Sequence, residues 1–247
     1  MTEFIAKKAW DPAWERVVIF TVGLLEENAE PIRQLLRELS AAKTDDYFRH
    51  RLAVAAMCLP EIDPRIRESL SGDVDEIARQ VIERWHQAHE FGTTGAVPHL
   101  SRSRPAMAAC GGVFFSTVEQ GLRDQRSRRW TLELVREVGA AARRPGVLEG
   151  LVACLRDPEG DVRSAAAWAL GALGSAAAER PGVVEGLVAC LRDPEGYVRR
   201  AAAEAIPRVI ENTRVFRGRL GKPRLRAIAD LAATTNLAPL ADPRREA

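Results

Sequence analysis

The chain has 247 residues, 46% hydrophobic and 28% charged, with a formal net charge of +2, an ordinary balance for a globular protein. A charge that small does not imply a global nucleic-acid or membrane role, and no run approaches the roughly 18 apolar residues that cross a bilayer. No basic-then-apolar leader opens the chain. Four scattered cysteines, Cys58, Cys110, Cys154 and Cys190, are too few for a disulfide framework, so a reduced, cytoplasmic protein is expected.

Strand signals are poor from end to end, while helix starts recur. Asp11-Pro12, Asp63-Pro64 and Asp157-Pro158 each set an N-cap residue before a proline suited to a first helical turn. Val17 to Leu25 is the longest nearly apolar run, and its acidic flanks predict a buried helix. Asp73-Val-Asp-Glu76 reads as a capping box opening a helix that runs to about Glu90. Residues 1–105 have this irregular helical character, and Phe91 to Arg104 is the best junction. Residues 106–216 hold repeats. Residues 217–247 form a basic C-terminal cap whose end, after about Ala232, is expected to fray.

The repeats are the strongest signal. Residues 145–180 and 181–216 share 21 of 36 positions, including 15 of the first 16. A period of this length marks stacked helical units, and about three are needed to bury their apolar faces. In each copy a helix with apolar residues at spacings of three and four (Val147, Leu151, Val152, Leu155) precedes an Asp-Pro-Glu-Gly turn and an alanine-rich helix. Leu122-Arg-Asp124, Arg128 and Gly139 match Leu155-Arg-Asp157, Arg163 and Gly174, which gives a degenerate first repeat at about 108–142. The fold expected is all-α, an α-α superhelix of stacked hairpins.

Differences between the two copies mark the surface. Asp161/Tyr197, Ser164/Arg200, Trp168/Glu204 and Gly171/Pro207 differ at i, i+3, i+7 and i+10, one stripe of a helix. A stripe free to vary faces outward. Asp161, Ser164, Trp168, Tyr197, Arg200 and Glu204, with the corresponding Arg126, Arg129, Glu133 and Arg136 of the first repeat, make a candidate protein-binding groove centred on Trp168, since Trp, Tyr and Arg dominate binding hot spots. Packing of Trp168 over the next repeat is the structural alternative. Arg163 and Arg199 can reach turn carboxylates as an ion-pair ladder, and Cys154 and Cys190 read as small buried hydrophobes.

Signals for chemistry are weak. There is no phosphate-binding loop, and His86 and His89 have no further ligand nearby in sequence. Neither a catalytic set nor a cofactor site is expected. Charge is more informative: Arg199, Arg200, Arg208, Arg214, Arg217, Arg219, Lys222, Arg224 and Arg226 face only Glu204 and Glu211. A solvated capping face is the simpler reading of this stretch. Nucleic-acid or anion binding through Arg208 to Arg226 is the alternative.

The core L-x-D-P-E-G-x-V-R-x-A-A-A-x-A-L-G at Leu155 to Gly171 resembles HEAT-like repeats of the phycobilin-lyase type. Trp10-Asp-Pro-Ala-Trp14 with VVIFTVGLLEE, and Asp45 to Leu59, resemble the helical region that follows the ATPase in bacterial NACHT-type signalling NTPases. The resemblances cover roughly residues 10–214. They imply a sensor or adaptor arm that binds a macromolecule, most simply a protein, with an ATPase supplied in trans if at all. No Walker motif is present, so nucleotide hydrolysis is not carried over. A bilin lyase or di-iron hydroxylase relative is a further alternative. The hydroxylase version needs several His-Glu pairs, and only His89-Glu90 occurs.

Overall fold

A computed structural model describes residues 2–25, 28–46, 48–90 and 98–210. Among the described residues every regular element is a helix. The chain divides into two compact units, Met1–Thr117 and Val118–Ala247.

The first unit contains α1 (Thr2–Lys8), α2 (Pro12–Leu24), α3 (Ala29–Ser40), α4 (His50–Cys58), α5 (Pro64–Ser69), α6 (Ser71–Glu90) and α7 (Pro98–Ser103), and the start of α8 (Gly112–Arg123). Its centre is α4, buried from His50 to Ala56 and again at Cys58, with α2, α3, α6 and α7 packed around it. Two expected caps form: Asp11 and Asp63 accept from the N–H groups of Ala13 and Arg65. The third does not begin a helix. Asp157 accepts from the N–H of Glu159, and the following helix starts at Gly160. The expected helix ending at Glu90 begins at Ser71, ahead of the capping box, and Asp73 instead pairs with Arg37 at 2.6 Å.

Two expectations need correction. Residues 91–97 of the junction lie outside the described residues, but its remainder is packed helix, with Leu100 and Ser103 fully buried in α7. The apolar run from Val17 is helical but only half covered. Val18 and Val22 are buried, whereas Val17, Phe20 and Leu24 are 47%, 74% and 81% exposed. Periodicity located the helix, but nothing among the described residues of this unit covers its second apolar face.

The second unit stacks three hairpins. Their helices are α8 and α9 (Arg128–Val138), α10 (Pro145–Cys154) and α11 (Gly160–Leu173), and α12 (Val183–Cys190) and α13 (Gly196–Ile210). The second helices pack in the order α9, α11, α13. Small residues permit this closeness: Ala166, Ala167 and Ala169 of α11 and Ala201, Ala202 and Ala205 of α13 are fully buried. Each of the first two second helices ends on a glycine with positive φ, Gly139 at 60° and Gly174 at 61°. A side chain would strain that backbone, so the helix stops and a 3-10 turn leads into the next hairpin.

All four cysteines are free and buried. Burial pushes the thiols of Cys154 and Cys190 up to about 11 and that of Cys110 up to about 12. A thiol reagent at pH 8 is therefore expected to leave the native protein unmodified over a period in which the urea-unfolded chain reacts completely. Fast native labelling would contradict this burial.

Candidate functional site

Repeat geometry positions the candidate surface through an arginine ladder. Arg128, Arg163 and Arg199 stand near the starts of α9, α11 and α13, and each donates to two carbonyls of its own turn: Leu122 and Arg123, Asp157 and Pro158, Asp193 and Pro194, at 2.8–3.0 Å. The first two also reach the aspartate of the next turn. Arg128 pairs with Asp157, and Arg163 grips Asp193 with two bonds, Nε to Oδ2 at 2.7 Å and Nη2 to Oδ1 at 2.9 Å. The expected ladder forms at Arg163, where one side chain both closes its own turn and clamps the following repeat, whereas Arg199 closes its turn through carbonyls and not through a carboxylate. The Arg163 hydrogen bonds, outweighing desolvation, hold the Asp193 carboxyl below its usual range.

With the hairpins locked in this register, equivalent positions of successive second helices fall side by side. Arg126, Arg129, Arg136, Asp161, Tyr197 and Arg200 are exposed, and Glu133, Ser164, Trp168 and Glu204 are half-buried. Neighbours within the stripe touch. Arg129 lies 3.7 Å from Asp161, and Arg200 pairs with Glu204 at 3.0 Å. The Tyr197 hydroxyl sits against Gly160, where an added Cβ would collide with it. Desolvation, then the carboxylates of Glu195 and Asp161, push the Tyr197 phenol above its ordinary value. The stripe thus runs across α9, α11 and α13 with both charges and one exposed aromatic ring. Its ion pairs are exposed and contribute little to stability.

Gly171 does not belong to the stripe. It is buried, and a Cβ there would come within 3.1 Å of Cα and Cβ of Ala205. The difference between Gly171 and Pro207 reflects the closeness of α11 and α13, not outward freedom. Arg208 is exposed on α13. Arg214, Arg217, Arg219, Lys222, Arg224 and Arg226 of the alternative basic site lie outside the described residues.

Elsewhere the geometry offers little to a reaction. A cleft of about 570 Å³ between α5, α6 and the start of α8 is lined by Arg67, Asp75, Cys110 and Ser116 among others. Its thiol is shifted away from nucleophilicity, first by desolvation and then by Asp75. His89 packs edge-on against Trp85, with ring centroids 4.5 Å apart. Among the described residues no three His, Cys, Asp or Glu side chains cluster as a metal site would require, and no helix is long and apolar enough to cross a membrane.

Sequence reasoning missed one surface, the exposed face of α2. Its signal was the heptad-like spacing of Ala13, Val17, Phe20 and Leu24, hidden because Trp14, Val18, Ile19 and Val22 between them are also apolar.

No curated protein matches the chain. Residues 116–208 match the family model described as HEAT repeats. With three stacked hairpins sharing an arginine ladder, this stretch is a HEAT-like repeat array, the kind of α-solenoid that commonly serves as a scaffold for protein interaction.

Proposed function

We propose that the repeat array binds another protein through the outward stripe of its second helices, formed by Arg126 in the turn before α9 and by Arg129, Glu133, Arg136, Asp161, Ser164, Trp168, Tyr197, Arg200 and Glu204. The observation supporting this most directly is the alignment of charged and aromatic side chains on three successive helices held in register by part-buried arginine–aspartate pairs. A preformed surface loses little conformational entropy on binding, so a few anchors can supply affinity. Tyr197 and Arg200 are exposed anchors, and Trp168 in the same stripe is half-buried. The setting suggested by the sequence resemblance is a bacterial signalling or defence protein, in which such an array senses a trigger. Binding, not catalysis, is the role of the array in this reading.

The test begins with capture of partners from the native cell, followed by titration of the purified partner. Tyr197→Ala combined with Arg200→Glu is expected to weaken binding roughly 30-fold or more while lowering the melting temperature by no more than about four degrees. A partner bound equally by wild type and the double variant would dismiss this surface. Binding to DNA or RNA that falls steeply with salt would transfer the function to the basic segment instead.

A further inference from the structure

We infer that the array grips a carboxylate of its partner with Arg199, so that the protein it binds presents an acidic segment to the last hairpin. This rests on the array's being protein-binding and adds the chemistry of the partner. Arg163 and Arg199 stand at the same place in successive copies, each ending the run Glu-Gly-x-Val-Arg. Each Nη1 donates to two carbonyls of its own turn: Asp157 and Pro158 at 2.8 and 2.9 Å, and Asp193 and Pro194 at 2.8 Å each. Those bonds fix the plane of a rigid guanidinium, and with it the direction of the opposite edge, Nε and Nη2. In Arg163 that edge holds Asp193 by two bonds. In Arg199 the same edge has no acceptor among the described residues, which end with α13. Arg199 is half-buried, so this edge is partly stripped of water and still reachable.

Three observations select a carboxylate on a protein. First, the chain's own precedent is an aspartate. Asp193 takes one N–H of Arg163 on each of its oxygens, the match that a planar guanidinium makes with a planar carboxylate. Second, Asp193 and Glu195 lie in the turn that Arg199 closes. Their charges repel a phosphate more than a singly charged carboxylate. Third, the exposed members of the stripe are mostly cationic, with Arg126, Arg129, Arg136 and Arg200 against Asp161. That balance complements an acidic chain. Donors already aimed by the turn lose little freedom when the carboxylate arrives, so this contact outweighs an ordinary exposed ion pair.

Fluorescence anisotropy of a labelled deca-aspartate peptide, titrated with the full chain at low salt, tests the inference. Arg199→Lys keeps the charge and a donor for the turn carbonyls but loses the second edge. It is expected to weaken binding about tenfold, within what hydrogen bonds to a charged group contribute, with an unchanged helical spectrum. In the wild type, the Arg199 Nε–H resonance should move downfield as the peptide is added, a measurement that needs no variant. No binding of the peptide, equal binding by Arg199→Lys, or an unmoved Nε–H resonance overturns the inference. A DNA strand of about ten nucleotides, bound as tightly and with the same loss in Arg199→Lys, overturns the choice of a carboxylate. The native partner separates this site from the stripe. Affinity lost only with Tyr197→Ala and Arg200→Glu keeps the stripe and rejects the Arg199 grip, and affinity lost only with Arg199→Lys does the reverse.

Discussion

Arg163→Ala is expected to lower the unfolding free energy by about 2 kcal/mol, in the range lost with hydrogen bonds to a charged partner. The Arg163 and Asp193 side chains are 13% and 8% exposed, so water replaces the lost bonds poorly. Two turn carbonyls, of Asp157 and Pro158, lose their donor as well. By contrast, Arg200→Ala breaks an exposed i,i+4 pair and should shift stability by only about 0.5 kcal/mol. Urea titration of both variants measures the difference. A second signature lies in the pH dependence. The Asp193 pKa is depressed in the folded state, chiefly by the hydrogen bonds from Arg163. Its contribution is therefore present above the unfolded carboxyl value of about 3.9 and is lost as pH falls through the folded value. Acidification below about pH 4 should destabilise the wild type more steeply than Arg163→Ala. Parallel acid profiles would show that the pair is not clamping the repeats.

Gly171→Leu is expected to destabilise the array by about 3 kcal/mol, the upper range for overpacking a close interface. The neighbour that a side chain would meet is backbone, Cα of Ala205 at 3.1 Å from the added Cβ. A flexible side chain could rotate away, but here α11 and α13 must separate, and with them the alanine contacts along both helices. Gly171→Ala tests the same contact more gently. Its gain in helix propensity, about 1 kcal/mol, opposes a displacement of a few tenths of an ångström, so it should fall near neutral. A fall in urea midpoint for the leucine variant without a change in the slope against urea would place the effect in stability. A leucine variant as stable as the alanine one would mean that the helices are not held this closely.

The repeat copies made the array legible without coordinates. Their shared Val147, Leu151 and Cys154 positions, and Val183, Leu187 and Cys190 in the next copy, are buried, as the three- and four-residue spacing requires. Their differences marked a stripe that is exposed at Asp161, Tyr197 and Arg200 and half-buried at Ser164, Trp168 and Glu204. The same comparison misplaced Gly171, because variation between copies cannot distinguish a position facing solvent from one where the neighbouring helix differs. Asp157-Pro158 misled for a related reason. The dipeptide suits a helix start, but the carboxylate is taken by Arg128 and the N–H of Glu159, so it shapes a turn.

Residue spacing by itself determined that this protein is helical, that 36-residue units stack, and that a conserved-looking arginine in each unit has a structural task. These follow from local periodicity and from comparison of one copy with the next. Tertiary structure alone decided which aspartate each arginine grips, how closely α11 approaches α13, and that α2 leaves half of its apolar surface uncovered. Burial depends on what packs against a face, and a run such as Val17 to Leu25 looks the same in sequence whether its outer side meets protein or water.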